Sequence, residues 1–222
     1  PTSRWKLSDR NIQPQVSQLA SIGYFRNSTG SIFEFSLEGY YRQTKNIIDY
    51  KPGADFLLNA NPETEVLQGD NKSYGAEIML AKKKGEVTGW LNYTYARSLN
   101  QVDEGPLPSQ RVNFGQQYAA NYDRPHTINA TMVINQGEHH DFSFNFTYST
   151  GRPFTSPQGY IKYANQVLPF YFFRNDTRLP DYHRLDFAWN IYNPQLLNKK
   201  FKGNFAFSVY NLYGRKNAYS VF

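Results

Sequence analysis

The chain has 222 residues, and its 24 lysines and arginines against 18 aspartates and glutamates give a formal net charge of +6. Aromatic residues make up 17% of the chain, yet its mean hydropathy is −0.67. The aromatic content excludes a disordered chain, and the lack of an apolar run of about 18 residues excludes a helical membrane protein. Because there are no cysteines, a disulfide scaffold and a thiolate metal site are excluded as well. A chain so aromatic and yet polar on average should alternate the two kinds of residue.

Strict alternation of apolar and polar residues predicts strands, because successive strand side chains point to opposite faces of a sheet. The clearest example is residues 32–41, where Phe33, Phe35 and Leu37 alternate with glutamate and serine. Eight segments follow this period with varying regularity, at about residues 15–27, 32–41, 74–80, 87–95, 128–134, 142–149, 185–192 and 204–209. Residues 217–222 have the pattern of a ninth strand beginning, and no segment has a convincing helical period.

The connections between the predicted strands alternate between short and long. Short turns rich in Gly, Asn and Pro are predicted at residues 27–30, 82–86, 135–139 and 193–203. Long connections separate them at residues 52–70, 100–121 and 152–181. A meander with every short turn at one end and every long loop at the other is typical of an outer-membrane barrel. The sequence therefore predicts an all-β, antiparallel, up-and-down transmembrane β-barrel with short periplasmic turns and long extracellular loops.

In such a barrel the apolar face of each strand contacts lipid and the polar face lines the lumen. Tyrosines and tryptophans near the predicted strand ends fit the interfacial girdles of these proteins. The charged residues that we expect in the lumen are Glu34, Glu38, Glu77 and Arg97. An alternative is a soluble β protein that binds carbohydrate and packs its aromatics in a core, but a core does not explain the alternation of loop lengths.

Four motifs from about residue 70 onward resemble the barrel of TonB-dependent outer-membrane receptors. They are YGAE at 74–77 followed by KKKG at 82–85 and GWLNYTYA at 89–96, YDRPHTIN at 122–129, PDYHRLD at 180–186, and YNLYGRKNAYS at 210–220. The likeness is strongest to receptors whose N-terminus carries a carboxypeptidase-regulatory-like domain before the plug. Residues 1–50 contribute only the strand pattern.

The resemblance implies a barrel of about 22 strands closed around a plug, with a TonB box that engages an energised inner-membrane complex. Only eight to nine strands are predicted here, so we interpret residues 1–222 as part of one outer-membrane barrel domain. The plug and the TonB box are then not in this chain. An alternative that stays open is a small self-contained barrel of eight strands that ends at Phe222 and serves as a passive pore or anchor.

The function implied by the resemblance is active uptake of a nutrient or chelate across the outer membrane of a Gram-negative bacterium, with no enzymatic step and no cofactor. The long loops would form the binding mouth, where aromatic and arginine side chains suit stacking against sugars, chelates or peptides. The candidate contacts are Arg111, Tyr118, Tyr160, Tyr163, Phe170, Tyr171 and Arg174. Packing of residues 168–173 against neighbouring loops is an equally good interpretation of that segment.

The implied partners are outer-membrane lipid and lipopolysaccharide, the TonB complex acting through the plug, and a small-molecule, glycan or peptide substrate. Whether a surface lipoprotein pairs with the barrel is open. Nucleic acid is not expected, because the basic clusters at 82–84 and 199–202 fall at predicted short turns, where interfacial anchoring explains them. His139 and His140 stand beside Glu138 and Asp141, a set able to bind a metal. A solvated turn is the simpler interpretation, so no metal site is predicted.

Overall fold

Strands dominate the computed structural model of the protein, in which the described residues are 7–51, 53, 54, 59, 61–192 and 204–218. These strands are β1 (Val16–Asn27), β2 (Phe33–Tyr50), β3 (Val66–Lys82), β4 (Val87–Gln101), β5 (Tyr118–Ala119), β6 (His126–Gln136), β7 (His140–Ser149), β8 (Pro153–Phe154), β9 (Gly159–Tyr163), β10 (Gln166–Phe170), β11 (Thr177–Arg178), β12 (Tyr182–Tyr192) and β13 (Asn204–Val209). Short 3-10 turns occupy Thr29–Ser31, Pro62–Glu65, Pro108–Gln110 and Asn113–Gly115. Within these ranges no helix has the length and apolar character to cross a membrane.

The eight long strands form one antiparallel sheet in the order β1-β2-β3-β4-β6-β7-β12-β13. Strand β5 adds to the end of β4, while β8 with β11 and β9 with β10 form two small sheets inside the third long loop. Each long strand is therefore hydrogen-bonded to the next long strand of the chain, which confirms the predicted up-and-down order. Within the described residues, β1 pairs only with β2 and β13 only with β12, so the sheet is not closed. This open sheet does not favour the small self-contained barrel.

The register separates two faces of different character. One row across the sheet runs through Tyr24, Leu37, Ile78, Tyr93, Ile128, Tyr148 and His183, and the adjacent row on the other face through Gly23, Glu38, Glu77, Thr94, Thr127, Ser149 and Tyr182. On the apolar face, central side chains such as Leu37 and Ile78 are both 41% exposed. A large apolar surface without a covering protein layer is typical of a membrane-facing surface. The alternation therefore gives the sheet one apolar and one polar face, as predicted.

Strands β2, β3 and β4 are longer than a bilayer requires. They contain 18, 17 and 15 residues, whereas a tilted strand crosses a bilayer with about 9–11. Pairing of β4 with β6 stops at Tyr95 opposite His126, but pairing of β3 with β4 continues to Asp70 opposite Gln101. The surplus length therefore extends the sheet at the end that carries the long loops.

Most of the buried apolar residues also lie at this end, with Ala81 beside the turn between β3 and β4 as an exception. Leu67, Val102, Val112 and Tyr118 form a small cluster, each at most 5% exposed. They come from the tops of β3 and β4 and from the second long loop, which folds back onto them. The loop end therefore has a packed core of its own, and this core positions the candidate site.

Two predicted features fall largely outside the described ranges. The last predicted short turn, at 193–203, lies outside them, and so do residues 219–222 of the predicted ninth strand. Residues 214–218 are described and are not in a strand.

Candidate functional site

The second and third long loops meet at the carboxylate of Asp49, near the end of β2. This carboxylate accepts a hydrogen bond from the Tyr118 hydroxyl and forms an ion pair with Arg174. The Arg174 guanidinium also donates to the carbonyl oxygen of Tyr50 at 2.8 Å. Burial and the hydrogen bond to Asp49 raise the pKa of Tyr118, so its hydroxyl remains a donor. The end of the first hairpin is thus tied to the second and third loops.

A second link joins the second and third loops directly. The Asn113 side-chain amide donates to the carbonyl oxygen of Arg174 at 3.0 Å, and the Arg174 amide donates to Oδ1 of Asn113 at 2.7 Å. This pair of hydrogen bonds holds an unusual turn, because Asn113, Phe114 and Gly115 have φ of 52°, 59° and 80°. A phenylalanine rarely adopts this left-handed region, and strain of this kind is concentrated at binding and active sites. The turn leaves the Phe114 side chain 60% exposed at the surface of the loops.

Phe114 belongs to an aromatic cluster that we define as Phe114, Phe170, Phe172 and Phe173. The Phe114 ring lies 6.2 Å from that of Phe172 in a stacked arrangement, and 5.8 Å from that of Phe173 edge-on. Phe170 contacts Phe172 edge-on at 5.8 Å. Phe172 is nevertheless 59% exposed. The predicted segment 168–173 therefore packs against a neighbouring loop and still presents aromatic surface.

An open pocket of about 400 Å³ lies next to this cluster. Its lining residues are Pro106, Pro108, Ser109, Arg111, Asn113, Phe114 and Phe172. Nε of Arg111 donates to Oδ1 of Asp103 at 2.7 Å, and 37% of the arginine side chain is exposed. Because a guanidinium carries five N–H donors, Arg111 keeps donors for a ligand beside the ring faces. The pocket can therefore stack a flat group and bind a negative or polar one.

The seven predicted contacts do not form a single site. Arg111 lines the pocket, and Phe170 lies in the aromatic cluster. Tyr118 and Arg174 lie beneath them, where they hold the loops together through Asp49. The structure brings these four together at the loop end, with different tasks.

The other three predicted contacts, Tyr160, Tyr163 and Tyr171, lie on or just after the β9–β10 hairpin. They are 66%, 73% and 55% exposed. Tyr160 and Tyr163 are three positions apart on β9, so they point to opposite faces of the hairpin. These three exposed rings do not line the pocket.

The four charged residues expected in the lumen lie on two faces. Glu34, Glu38 and Glu77 share the polar face, where Glu38 is directly opposite Glu77. Glu34 pairs with Lys83 at 3.1 Å. Arg97 lies opposite Tyr74, on the apolar-face side of β4 and above the level where β6 begins.

From this position Arg97 reaches a buried carboxylate beside the strand. Asp123, from the predicted YDRPHTIN motif, has a fully buried side chain that accepts hydrogen bonds from the Ser98 amide at 2.6 Å and from Nε of Arg97 at 3.3 Å. Arg178 of β11 pairs with the other carboxylate oxygen and donates to the carbonyl oxygen of Gly151 at 3.1 Å. Asp123 thus anchors the third loop to the sheet.

Several residues of this region had no signal in the sequence analysis. Phe172 and Phe173 lie in the apolar segment 168–173, which the sequence indicated as a candidate contact. Asp49, Phe114 and Asp123 have no local sequence pattern that indicates their contacts. Sequence separation explains this, since Asp49 and Arg174 are 125 positions apart. Only the folded loops bring them together.

The histidines of the third short turn have ordinary partners. Nδ1 of His140 lies 3.3 Å from the Trp189 indole nitrogen, and the Asp141 carboxylate accepts a hydrogen bond from the Asn190 amide at 2.6 Å. Among the residues described, no group of three possible metal ligands occurs.

Comparison with known protein families shows which family has this architecture. The family described as TonB dependent receptor-like, beta-barrel matches residues 4–212. Searches among curated proteins and among solved structures found no match. The family match covers all eight long strands, and its barrels have the up-and-down order and two-faced sheet seen here. The chain therefore belongs to the TonB-dependent receptor β-barrel family, a family of transporters found in the outer membrane of Gram-negative bacteria.

Proposed function

We propose that the chain forms part of the barrel wall and the substrate-binding mouth of a receptor that takes up a nutrient or chelate by TonB-dependent active transport. Family membership supports the transport class. The observation that carries the proposal of a mouth is the convergence of the second and third long loops on Asp49 at the end of β2, beside an open aromatic pocket. No enzymatic step is part of the proposal.

Residues 1–222 would form part of a single barrel domain. The plug, the TonB box and a carboxypeptidase-regulatory-like domain would belong to other parts of the protein. The apolar face would contact outer-membrane lipid and, at the loop end, lipopolysaccharide. The energised TonB complex would act through the plug, and a surface lipoprotein would be a further partner at the mouth.

The pocket suggests how a substrate would be held. Phe114 offers an exposed ring and Arg111 offers charged donors beside it, which suits a glycan, a peptide or a chelate with flat or anionic groups. The hydrogen bonds between Asn113 and Arg174 fix the turn that carries Phe114, and Asp49 fixes Arg174. Since these links are all made within the protein, little ordering cost is expected on binding.

The proposed function is tested with the full-length receptor. A deletion strain is grown on single nutrient sources to identify the substrate, and uptake is then measured with and without TonB. Loss of TonB should abolish accumulation while leaving binding to isolated outer membranes intact. Uptake that continues unchanged without TonB would exclude the proposed mechanism.

The mouth is tested by substitution in the same receptor. We expect Arg111→Ala and Phe114→Ala each to weaken substrate binding about tenfold, the loss of about 1.4 kcal/mol of contact energy. Glu138→Ala, at the short turn between β6 and β7, is the control and should bind normally. Normal binding by both loop variants, correctly assembled in the outer membrane, would place the substrate elsewhere.

A further inference from the structure

The apolar face has a hollow of about 420 Å³ close to the short turn between β3 and β4. Its walls include Phe33, Leu80, Leu91, Met132 and Phe146. The register places all five on the apolar face. The hollow therefore opens toward the surroundings of the barrel wall and away from its polar face.

Two positions with little or no side chain create the hollow. Ala130 lies between Leu91 and Phe146 in one row across the sheet. Gly89 lies in the next row, at φ 153°, and a Cβ there would clash with the carbonyl oxygen of Thr131. Close approach of β4 and β6 thus requires glycine at this position. The large residues around these two positions then form the rim of a groove.

Lys82, at the end of the groove, has no partner among the residues that the structure describes. Three consecutive lysines, 82–84, stand where β3 ends and the short turn begins. Lys83 pairs with Glu34 at 3.1 Å, and Lys84 donates to the carbonyl oxygen of Gly30 at 2.7 Å. Lys82 lines the hollow, is half-buried, and makes no ion pair or hydrogen bond with any described residue. The ammonium group of Lys82 lies near Gly85 of the turn, at the edge of the apolar face. An anion at this point would pair with it.

The distance between Lys82 and the groove at Ala130 fits a phospholipid, whose charged headgroup adjoins its acyl chains. Lys82 shares a row with Gly89, and Ala130 lies one row deeper, two residues or about 7 Å along the strand. Lys82 lies next to a short turn, and short turns of outer-membrane barrels are at the periplasmic side, where the headgroups of the inner leaflet are. Lysine side chains at such depths extend toward the headgroup layer.

We propose that the groove binds an acyl chain of an anionic glycerophospholipid, with its headgroup phosphate on Lys82. The proposal rests on the membrane position that the proposed function gives to the apolar face. The groove supplies the shape and the apolar surface, and Lys82 supplies the preference for negative charge. Attraction between one lysine and an anionic lipid surface corresponds to about a fivefold preference over a zwitterionic lipid.

The test is lipid titration of the full-length receptor in mild detergent, followed by native mass spectrometry. Phosphatidylglycerol should bind about fivefold more tightly than phosphatidylcholine, and Lys82→Gln should remove that preference. Ala130→Phe should fill the groove and weaken binding of both lipids about tenfold, because it displaces a few methylene groups. Lys83→Gln is the matched control for Lys82→Gln, because Lys83 is already paired with Glu34 on the polar face. Ala76→Phe is the matched control for Ala130→Phe, because Ala76 lies elsewhere on the apolar face.

Three results would overturn the proposal. They are equal binding of the two phospholipids, equal losses in the control variants, and tighter binding of lipid A than of phosphatidylglycerol. Assembly in the outer membrane and uptake are measured on the same variants. A receptor that transports normally but has no lipid preference refutes only the lipid site, whereas a receptor that never enters the membrane refutes the proposed function.

Discussion

Asp123→Asn should loosen the attachment of the third loop to the sheet. The substitution keeps the size of a fully buried side chain but removes its charge. Asp123 accepts hydrogen bonds from Arg97, Arg178 and the Ser98 amide. An asparagine side chain has one carbonyl oxygen, so it cannot satisfy all three donors in the same geometry.

The size of the effect follows from these contacts. A hydrogen bond that involves a charged group contributes about 1.5–3 kcal/mol. Both arginine side chains are 30% exposed, so water recovers part of that energy for each. We expect a net loss of about 2 kcal/mol in the local opening free energy, which is about a 30-fold increase in the population of the opened loop base.

Amide hydrogen exchange of the full-length receptor measures this loss directly. The Ser98 amide should exchange about 30-fold faster in Asp123→Asn under conditions where exchange reports the opening equilibrium. Asp103→Asn is the control, because its ion pair with Arg111 joins side chains that are 42% and 37% exposed. Exposed pairs contribute about 0–1 kcal/mol. Similar exchange in the two variants, or unchanged exchange at Ser98 in Asp123→Asn, would refute the assignment of Asp123 as the anchor.

Two further predictions concern the faces of the sheet and the pH response of the loops. Phe144→Arg should lower the stability of the barrel by about 2–4 kcal/mol and impair assembly of its heat-modifiable form. Asn145→Arg, at the neighbouring position on the polar face, should assemble normally. Equal assembly of the two variants would contradict the assignment of the faces. Hydrogen bonds from Tyr148 and the Gly151 amide lower the pKa of Asp181, so its stabilising contribution is present above the ordinary aspartate pKa of about 3.9. That contribution should be lost as pH falls through the lowered pKa, seen as faster Gly151 exchange after correction for the intrinsic pH dependence. Asp181→Asn should remove this extra dependence, and its persistence would exclude Asp181 as the source.

The strands were predictable because a sheet with one face toward an apolar medium repeats a simple pattern. Phe33, Phe35 and Leu37 must share a face, and the register confirms that they do. The same reasoning applies to each long strand of the sheet. Short turns were predictable for a related reason, since glycine and asparagine supply conformations that other residues rarely adopt.

The same period of two argues against the expected position of Arg97 in the lumen. This arginine is an even number of positions from Tyr93 and Tyr95, so an unbroken strand places it on their face and not with Glu77. The structure has no register shift between β3 and β4, and Arg97 accordingly lies opposite Tyr74. A charge on that side is tolerated because Asp123 lies within reach of it.

The loop site could not be predicted from pattern alone. Aromatic and arginine content indicated which segments to consider, and Arg111 does line the pocket. The division between supporting and exposed residues depends on contacts such as that of Asp49 with Arg174, which leave no periodic signal. Composition does not reveal that Tyr118 is 5% exposed while Tyr163 is 73% exposed.

The returning segment of the third loop orders the residues of the proposed binding mouth. Arg174 and Arg178 bind the carboxylates of Asp49, in β2, and Asp123, in the connection just before β6. Between them, Asp176 accepts hydrogen bonds from the Ser156 amide at 3.0 Å and its hydroxyl at 2.9 Å. Although partial burial opposes it, these bonds and one from Gln158 lower the pKa of Asp176, so it remains a charged acceptor. Arg174, Asp176 and Arg178 thus fix the returning segment to β2, to the connection before β6 and to the outgoing arm of the same loop. A ligand that bound in the proposed pocket would therefore meet aromatic surface held by contacts within the protein, and its binding energy would be available for affinity and selectivity.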